Sequence, residues 1–289
     1  MKSKISVLFC LGFMSVSTFA HAIFNIAYVE VNSNPMSNVA CYLNAETKKP
    51  FFTMASIFGA NINGTDPNHP EIHLNPGIED MMAHTTQVKD LQSKGIRVLI
   101  SLLGNHQNAG WSCMTEDSAA QIFANHIVEM VNKYHLDGVD IDDEYSEYCQ
   151  ANDTSLIMIA ENIKKNPQFQ GKILTKALWS DSDYFLANYH GVKLADLLDY
   201  GFEMTYGNSF FESRASFYLE NGMTKDKLSL GGWTKNSYVS SQDLGHYLKE
   251  NNYGGGMIYD VDSFSWDYLN HFSQGETGVG VTLEENCLR

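Results

Sequence analysis

The sequence predicts an α/β protein built as a single (β/α)8 barrel of the TIM type, with some irregular or missing outer helices. Eight apolar runs of strand length recur along the 289 residues, and amphipathic stretches at helical spacing separate several of them. Strands that alternate with helices in one domain are typical of a parallel barrel, although a doubly wound sheet shows a similar period. No Pro-rich linker or low-complexity stretch divides the chain, so we expect one barrel domain over residues 23–289.

Each element follows from its own pattern. The eight strands are predicted, in chain order, at residues 26–31, 52–61, 96–103, 138–144, 173–179, 201–206, 228–233 and 256–261. Amphipathic spacing predicts helices over residues 78–94, 118–134 and 155–165, and little more than one helix within 234–254. The connections at residues 32–50, 180–199 and 208–227 lack a clear helical period, and incomplete helices are expected there.

The N-terminus has the pattern of an export signal. Lys2 and Lys4 precede a short apolar stretch over residues 5–13, and small residues follow at positions 20 and 22. This arrangement is typical of a secretory signal peptide, and the apolar stretch is too short to span a bilayer. We therefore expect residues 1–22 to be removed and the mature protein to be secreted or periplasmic in a bacterium, without a membrane anchor.

Composition narrows the function classes. The chain is 44% hydrophobic and 18% charged, and its formal net charge is −15. This composition excludes a disordered chain, and the acidic balance argues against nucleic-acid binding, which needs a basic surface to displace counterions. A neutral ligand such as a glycan fits the charge better than an anionic polymer.

The fourth strand carries the main chemical motif. It reads Leu-Asp-Gly-Val-Asp-Ile-Asp-Asp-Glu over residues 136–144, so Asp140, Asp142 and Glu144 share one face and Val139 and Ile141 the other. In a barrel the three acids point inward, and Glu144 lies at the strand end where substrates bind. Repulsion and burial raise the pKa of at least one acid, which suits a proton donor. A solvated acidic strand end or a calcium site is the alternative, but calcium loops favour a flexible turn.

This motif resembles the signature of glycoside hydrolase family 18, which includes chitinases and endo-β-N-acetylglucosaminidases. The sequence is most similar to the endoglycosidase H and F type, bacterial enzymes that release N-glycans from glycoproteins. The similarity extends over residues 26–32, 58–63, 103–107 and 136–148 and is thinner at 199–207 and 255–262. It implies hydrolysis, with retention, of the β-1,4 bond between the two core N-acetylglucosamines of an N-linked glycan.

The resemblance also implies roles for individual residues. Glu144 protonates the glycosidic oxygen, and the substrate's own 2-acetamido group attacks to form an oxazolinium ring, so no cofactor is needed. Asp142 orients that acetamide, and Asp140 lies behind it and shares a proton. Tyr206 hydrogen-bonds the acetamido oxygen, and Tyr259 occupies the position where chitinases usually place a tryptophan under the sugar ring.

Further residues are candidates for substrate binding. Glu30, Asn61, Asn63, Asn105 and His106 lie at or just past the ends of the first three strands, where loops bind ligands, although turns also favour Asn. Trp179 and Trp233 are either sugar-stacking platforms or core residues, and Asp260 stands where the family has an amide.

Four cysteines follow the signal peptide: Cys41, Cys113, Cys149 and Cys287. An even number in an exported chain predicts disulfides, and no Cys-x-x-Cys spacing indicates a metal site, so no metal is expected. The sequence alone does not choose among the three possible pairings. Loops after the third and fourth strands are neighbours in a barrel, which favours Cys113–Cys149; Cys41 and Cys287 pair by elimination.

Two alternatives to the endoglycosidase remain. A chitinase of the same family often carries an insertion between strands seven and eight, whereas residues 234–254 are short and predict a shallow, open cleft. A glycan-binding lectin on the same barrel typically loses the terminal acid of the motif, and Glu144 is present. The expected partner is an N-linked glycan on a glycoprotein, bound by a monomer.

Overall fold

The computed structural model describes residues 23–146, 148–236 and 238–288, so the predicted signal peptide lies outside the described residues. The strands are β1 (Ile26–Glu30), β2 (Tyr42–Asn44), β3 (Met54–Asn63), β4 (Glu71–His73), β5 (Arg97–Leu103), β6 (Gly138–Asp142), β7 (Ile173–Leu178), β8 (Tyr200–Glu203), β9 (Leu228–Trp233), β10 (Gly255–Tyr259) and β11 (Val281–Leu283). The α-helices are α1 (Pro76–His84), α2 (Gln87–Ser93), α3 (Asp117–Lys133), α4 (Ser155–Lys165), α5 (Ser182–Leu186), α6 (Leu194–Leu197), α7 (Phe211–Glu220), α8 (Ser241–Glu250) and α9 (Trp266–Thr277). Two 3-10 helices span Met36–Cys41 and Pro167–Phe169.

Eight parallel strands form a closed barrel, as predicted. Their order is β1-β10-β9-β8-β7-β6-β5-β3, and pairing of β1 with β3 closes the ring. The short β4 adds to β3 in the antiparallel direction, and β2 pairs with β11 outside the barrel. Closure excludes the doubly wound sheet, which has open edges. Within the described ranges, no helix is long and apolar enough to cross a membrane.

The helix predicted over residues 78–94 is in fact two helices. The chain leaves helical geometry at Thr85, whose hydroxyl donates to the Met81 carbonyl at 2.6 Å. The Thr86 hydroxyl donates to Asp90 at 2.7 Å, just before α2 begins. Threonine hydroxyls that bond nearby groups compete with the helical backbone bonds and favour helix ends.

The connection over residues 208–227 also differs from expectation, because it contains the ten-residue helix α7. Phe211, Arg214, Ala215 and Tyr218 are its buried face and recur at helical spacing. Because the charged Arg214 is one of these buried residues, the sequence shows no continuous apolar face, and the helix was not predicted. The connections at 32–50 and 180–199 are irregular as predicted, since they hold only short elements.

Alternating side chains divide the core into two parts. Inward residues such as Tyr28, Phe202 and Met257 fill the barrel, while Val139 and Ile141 point outward into the larger cluster beneath the helices. The acids of β6 therefore face inward, as predicted.

Two disulfides stabilise the chain, and both agree with the expected pairing. Cys113 and Cys149 join the segments that follow β5 and β6, with their Cα atoms 5.7 Å apart. Cys41 and Cys287 connect the region after β1 to the C-terminal segment, with a Cα separation of 5.5 Å. The first disulfide lies on the rim next to the end of β6, where the acidic motif ends.

Candidate active site

A cavity of about 960 Å³ opens at the carboxyl ends of the barrel strands. It is lined by polar strand-end residues and aromatic rings: Tyr28, Glu30, Asn32, Phe58, Gly59, Asn61, Asn75, Leu103, Gly104, Asn105, His106, Asp142, Glu144, Tyr145, Trp179, Met204, Thr205, Tyr206, Gly207, Asn208, Trp233, Asn236 and Tyr259. This is the end of a parallel barrel at which substrates bind, and its size suits a ligand of several sugar rings.

Asp140 lies at the base of the acidic cluster and is fully buried. Three hydroxyls donate to its carboxylate: Tyr28 at 2.8 Å, Ser101 at 2.7 Å and Thr175 at 2.5 Å. Burial raises the pKa of Asp140, whereas the three hydrogen bonds oppose that rise. The donors come from β1, β5 and β7, so barrel closure is required to assemble them.

Asp142 is one inward position further along β6 and reaches the cavity wall. Its side chain is 1% exposed, and its Oδ1 atom has no hydrogen-bond partner among the described residues. Burial raises its pKa well above the usual value, and the charges of Glu144 and Asp140 raise it further. An unpaired buried carboxylate oxygen is costly unless a ligand supplies a donor.

Glu144 lies just beyond the end of β6 and lines the cavity, half-buried. The Gly104 amide donates to the Glu144 carbonyl at 2.9 Å, which ties this segment to the end of β5. A Cβ atom on Gly104 would lie 2.6 Å from that oxygen, so a larger residue would push the segment away. Burial raises the pKa of the Glu144 carboxyl, while the charge of Lys176 lowers it.

Tyr206 follows β8 and is held by a buried ion pair behind it. The Arg214 guanidinium donates to Glu203 Oε2 at 2.6 Å and to the Gly231 carbonyl at 2.8 Å, and the other Glu203 oxygen accepts the Thr205 amide at 2.8 Å. These contacts fix the turn that carries Tyr206. Burial and the charge of Asp142 raise the pKa of Tyr206 well above its usual value, so its hydroxyl remains a donor.

Aromatic rings form one side of the cavity. The Tyr206 and Tyr259 rings stack with centroids 5.7 Å apart, and Trp233 lies 6.0 Å from Tyr259. The Tyr259 hydroxyl donates to Glu30 at 3.1 Å. Trp179 is 51% exposed and lines the cavity, so it is not a core residue. Sugar rings pack well on such faces.

Most of the predicted binding residues line the cavity. Asn61 donates to the Gly104 carbonyl at 3.1 Å, and Asn105 and His106 also face the opening. Two do not belong to the lining. Asn63 accepts a hydrogen bond from Asn105 at 2.7 Å and supports it from behind. Asp260 forms an ion pair with Lys235, outside the cavity wall.

The sequence analysis missed several contributors. Tyr28, Ser101 and Thr175 are polar residues at inward positions of apolar strands, and strand alternation is the signal that would have identified them. Asn208 and Asn236 lie in loops, where the sequence shows no periodic signal. Tyr145 has a φ of 60°, a left-handed conformation that is unusual for a bulky residue and that turns the chain directly after Glu144.

Comparison with known families agrees with this geometry. The sequence model of the glycosyl hydrolases of family 18 matches residues 14–242 of the chain. An endo-beta-N-acetylglucosaminidase of Flavobacterium sp. (strain SK1022) is 43% identical over 125 residues, which are 43% of this chain and 39% of that protein. Endo-beta-N-acetylglucosaminidase F1 of Elizabethkingia meningoseptica is 28% identical over 246 residues, covering 82% of this chain and 70% of that protein.

Solved structures show the same fold. The crystal structure of EndoBT-3987 from Bacteroides thetaiotaomicron with its Man5GlcNAc product superposes with a TM-score of 0.76 at 22% sequence identity. The match covers 91% of this chain and 62% of that one. The chain therefore spans less than two thirds of the length of some relatives that it matches.

Proposed function

Because the chain belongs to the glycosyl hydrolases of family 18, we propose that it is an endo-β-N-acetylglucosaminidase acting on N-linked glycans. The bond cleaved is the β-1,4 linkage between the two core N-acetylglucosamines. Two relatives carry the name of this activity, and the Man5GlcNAc product bound to EndoBT-3987 retains a single N-acetylglucosamine. Cleavage between the two core N-acetylglucosamines leaves one of them on the released glycan, as in that product.

The observation that carries the proposal is the Asp142 Oδ1 at the cavity wall, which has no hydrogen-bond partner within the described part of the chain. A 2-acetamido group offers an N–H donor for this oxygen and a carbonyl acceptor for the Tyr206 hydroxyl. Both protein groups line the same cavity as Glu144, and the charges of Asp142 and Glu144 both raise the pKa of Tyr206. The site therefore has a partner for each polar atom of an acetamide next to a candidate acid.

In the first step, Glu144 transfers its proton to the glycosidic oxygen as the bond to the anomeric carbon breaks. The acetamido carbonyl oxygen attacks the anomeric carbon from the opposite face and closes the oxazolinium ring. Asp142 accepts the acetamido N–H and stabilises the positive charge that develops on the ring, while Tyr206 orients the carbonyl. An oriented internal nucleophile avoids the entropic cost of bringing in an external one.

In the second step, the ionised Glu144 removes a proton from a water molecule that attacks the anomeric carbon and reopens the ring. Two displacements at one carbon restore its original configuration, so the product retains the β anomer. Glu144 thus acts first as acid and then as base, and burial, which raises its pKa, supports the first role.

The location of the resting proton follows from the surroundings of the two aspartates. Asp140 accepts three hydroxyl donors that favour its ionised form, whereas Asp142 lies beside the charge of Asp140 and its Oδ1 has no partner among the described residues. The proton of the pair therefore resides on Asp142 before substrate binds. The acetamido N–H and the developing positive charge then favour ionised Asp142, and its proton passes to Asp140 behind it, with which it shares that proton.

Intact-mass analysis of a high-mannose glycoprotein tests the proposal directly. The mature protein should reduce each glycan to one N-acetylglucosamine on asparagine, whereas a Glu144→Gln variant should leave the glycan intact. An exposed glutamate on α3, changed as Glu129→Gln, is the matched control and should not alter cleavage. An unchanged glycoprotein together with cleaved chitin oligomers would contradict the proposal in favour of a chitinase, and binding without any cleavage would indicate a lectin.

The cellular location and the assembly are part of the proposal. We infer that residues 1–22 are removed on export and that residues 23–289 act as a monomeric barrel. Two disulfides in the described chain support an oxidising compartment. N-terminal sequencing of protein recovered from the periplasm or medium should begin at Ile23, and light scattering should give the mass of one chain. A retained Met1 or a dimer mass would contradict these points.

A further inference from the structure

Lys176 occupies a position where the strand pattern calls for an apolar residue. Along β7, Thr175 and Ala177 point into the barrel, whereas Leu174, Lys176 and Leu178 point outward. The two leucines pack in the outer core, and the Lys176 side chain is 1% exposed between them. Burying an isolated ammonium is costly, so its partners define its role.

The ammonium is held by a carboxylate from the loop after β7. Lys176 Nζ lies 2.7 Å from Asp181 Oδ1, and both side chains are 1% exposed. Nζ also donates to the Ala177 carbonyl at 2.8 Å, and the other oxygen of Asp181 accepts the Trp179 amide at 2.7 Å. The last of these contacts ties the ion pair to Trp179, which lines the cavity.

The position of Lys176 relative to the acids is set by strand register. Lys176 pairs with Ile141 across β6 and β7, and Asp142 pairs with Ala177. Lys176 therefore lies next to the segment that bears Asp142 and, just past the strand end, Glu144. Its positive charge lowers the pKa of both carboxyls, against the upward effect of burial.

We infer that Lys176 is a positioning residue that sets the pH range in which Glu144 donates a proton while Asp142 is ionised. This inference rests on the proposed function. Without the ammonium, both carboxyls hold their protons more tightly. The general acid then stays protonated to higher pH, and Asp142 ionises only at higher pH, so the whole activity profile moves in the alkaline direction.

Other titratable groups around Lys176 come from each neighbouring element. Asp143 follows β6, accepts the Ser112 hydroxyl at 3.1 Å and contributes, after burial and Asp181, to the net pKa shift of Lys176. Burial lowers the pKa of Lys176, but these carboxylates outweigh it and the net shift is upward. Tyr184 on α5 and Tyr218 on α7 face the same cluster, and burial raises the pKa of both phenols, so they stay neutral.

Three variants separate the charge of Lys176 from its structural pairing. Lys176→Met removes the positive charge but leaves the buried Asp181 carboxylate unpaired, which destabilises the folded protein. The double variant Lys176→Met with Asp181→Asn removes both charges and so avoids that destabilisation. Lys176→Arg keeps a positive charge next to Asp181, because a guanidinium stays protonated even when buried. The pH dependence of kcat/KM on a high-mannose glycopeptide is measured for each variant and for the wild type.

Both variants that lack the positive charge should show acid and alkaline limbs shifted upward by roughly one pH unit, while Lys176→Arg shows no upward shift. A merely structural role would lower kcat/KM at every pH and leave both limbs in place. Unshifted limbs in the double variant, or an equal upward shift in Lys176→Arg, would overturn the inference.

A second measurement does not depend on any substrate. The side-chain carboxyl carbon of Glu144 is titrated by NMR in ¹³C-glutamate-labelled protein, with Glu144→Gln identifying the signal. The midpoint should move upward when Lys176 is replaced in the double variant, and an unchanged midpoint would overturn the inference. If the wild type released no glycan while the midpoint still moved, only the proposed function would fail.

Discussion

Glu276 provides a test of the structure at the end of the barrel opposite the cavity. Its carboxyl on α9 is 1% exposed, and Oε2 accepts the Asn25 side-chain amide at 2.8 Å. Oε1 has no partner among the described residues. Burial raises the pKa of Glu276 from 4.5 to about 7, with the Asn25 hydrogen bond opposing part of the rise.

The raised pKa implies a pH-dependent contribution to stability. The folded protein binds the Glu276 proton more tightly than the unfolded chain, so the contribution is fully present below pH 4.5 and is lost as the pH rises through about 7. The gap between these two pKa values corresponds to about 3 kcal/mol of unfolding free energy. The sign is opposite to that of a salt-bridged carboxylate, which stabilises at high pH.

Glu276→Gln removes this titration while keeping the side-chain volume. At about pH 5 the wild-type carboxyl is already neutral, so the two proteins should differ little in unfolding free energy by urea titration. At about pH 8 the folded wild type holds a buried, ionised carboxylate, which lowers its unfolding free energy. The unfolding free energy of the variant minus that of the wild type should therefore be about 2 to 3 kcal/mol larger at pH 8 than at pH 5.

Glu129→Gln on the exposed face of α3 serves as the control for adding one amide and removing one surface charge. Its difference from the wild type should be small and similar at both pH values. If the Glu276→Gln difference were equally independent of pH, the Glu276 carboxyl would titrate normally, and the argument from burial would be refuted.

Three further predictions concern the site and its supports. Asp142→Asn should lower kcat by about a hundredfold or more with little change in KM, because the Asp142 carboxylate stabilises positive charge in the transition state. A change in KM alone in steady-state kinetics would contradict that role. Arg214→Met should lower the unfolding free energy by about 3 to 5 kcal/mol in urea, since it strands the buried Glu203 carboxylate; adding Glu203→Gln should recover part of the loss, and no recovery would argue against the pair. Replacing both Cys113 and Cys149 by Ala should cost about 4 kcal/mol in the same assay, as expected for a loop of this length, and an unchanged midpoint would show that the bridge does not constrain the unfolded chain.

Local sequence patterns were sufficient for much of the barrel. Every predicted strand exists, because each buried strand is a short apolar run whose period does not depend on its neighbours. The inward direction of Asp140 and Asp142 followed from alternation within β6 alone. The same local reasoning failed for α7, where a buried Arg214 interrupts the apolar face, and for α1 and α2, where threonine hydroxyls end one helix and precede the next.

The sequence by itself indicated which residues carry the proposed chemistry, since Asp140 and Asp142 are fixed to one face by the two-residue period of β6 and Glu144 follows just after the strand end. Only the tertiary structure decided their surroundings. The donors to Asp140 come from three other strands, and Lys176 points away from the barrel interior yet lies behind the acids through the register of β6 and β7. These contacts join residues far apart in the chain, and the proton affinity of a buried carboxyl depends on them more than on its own sequence neighbours.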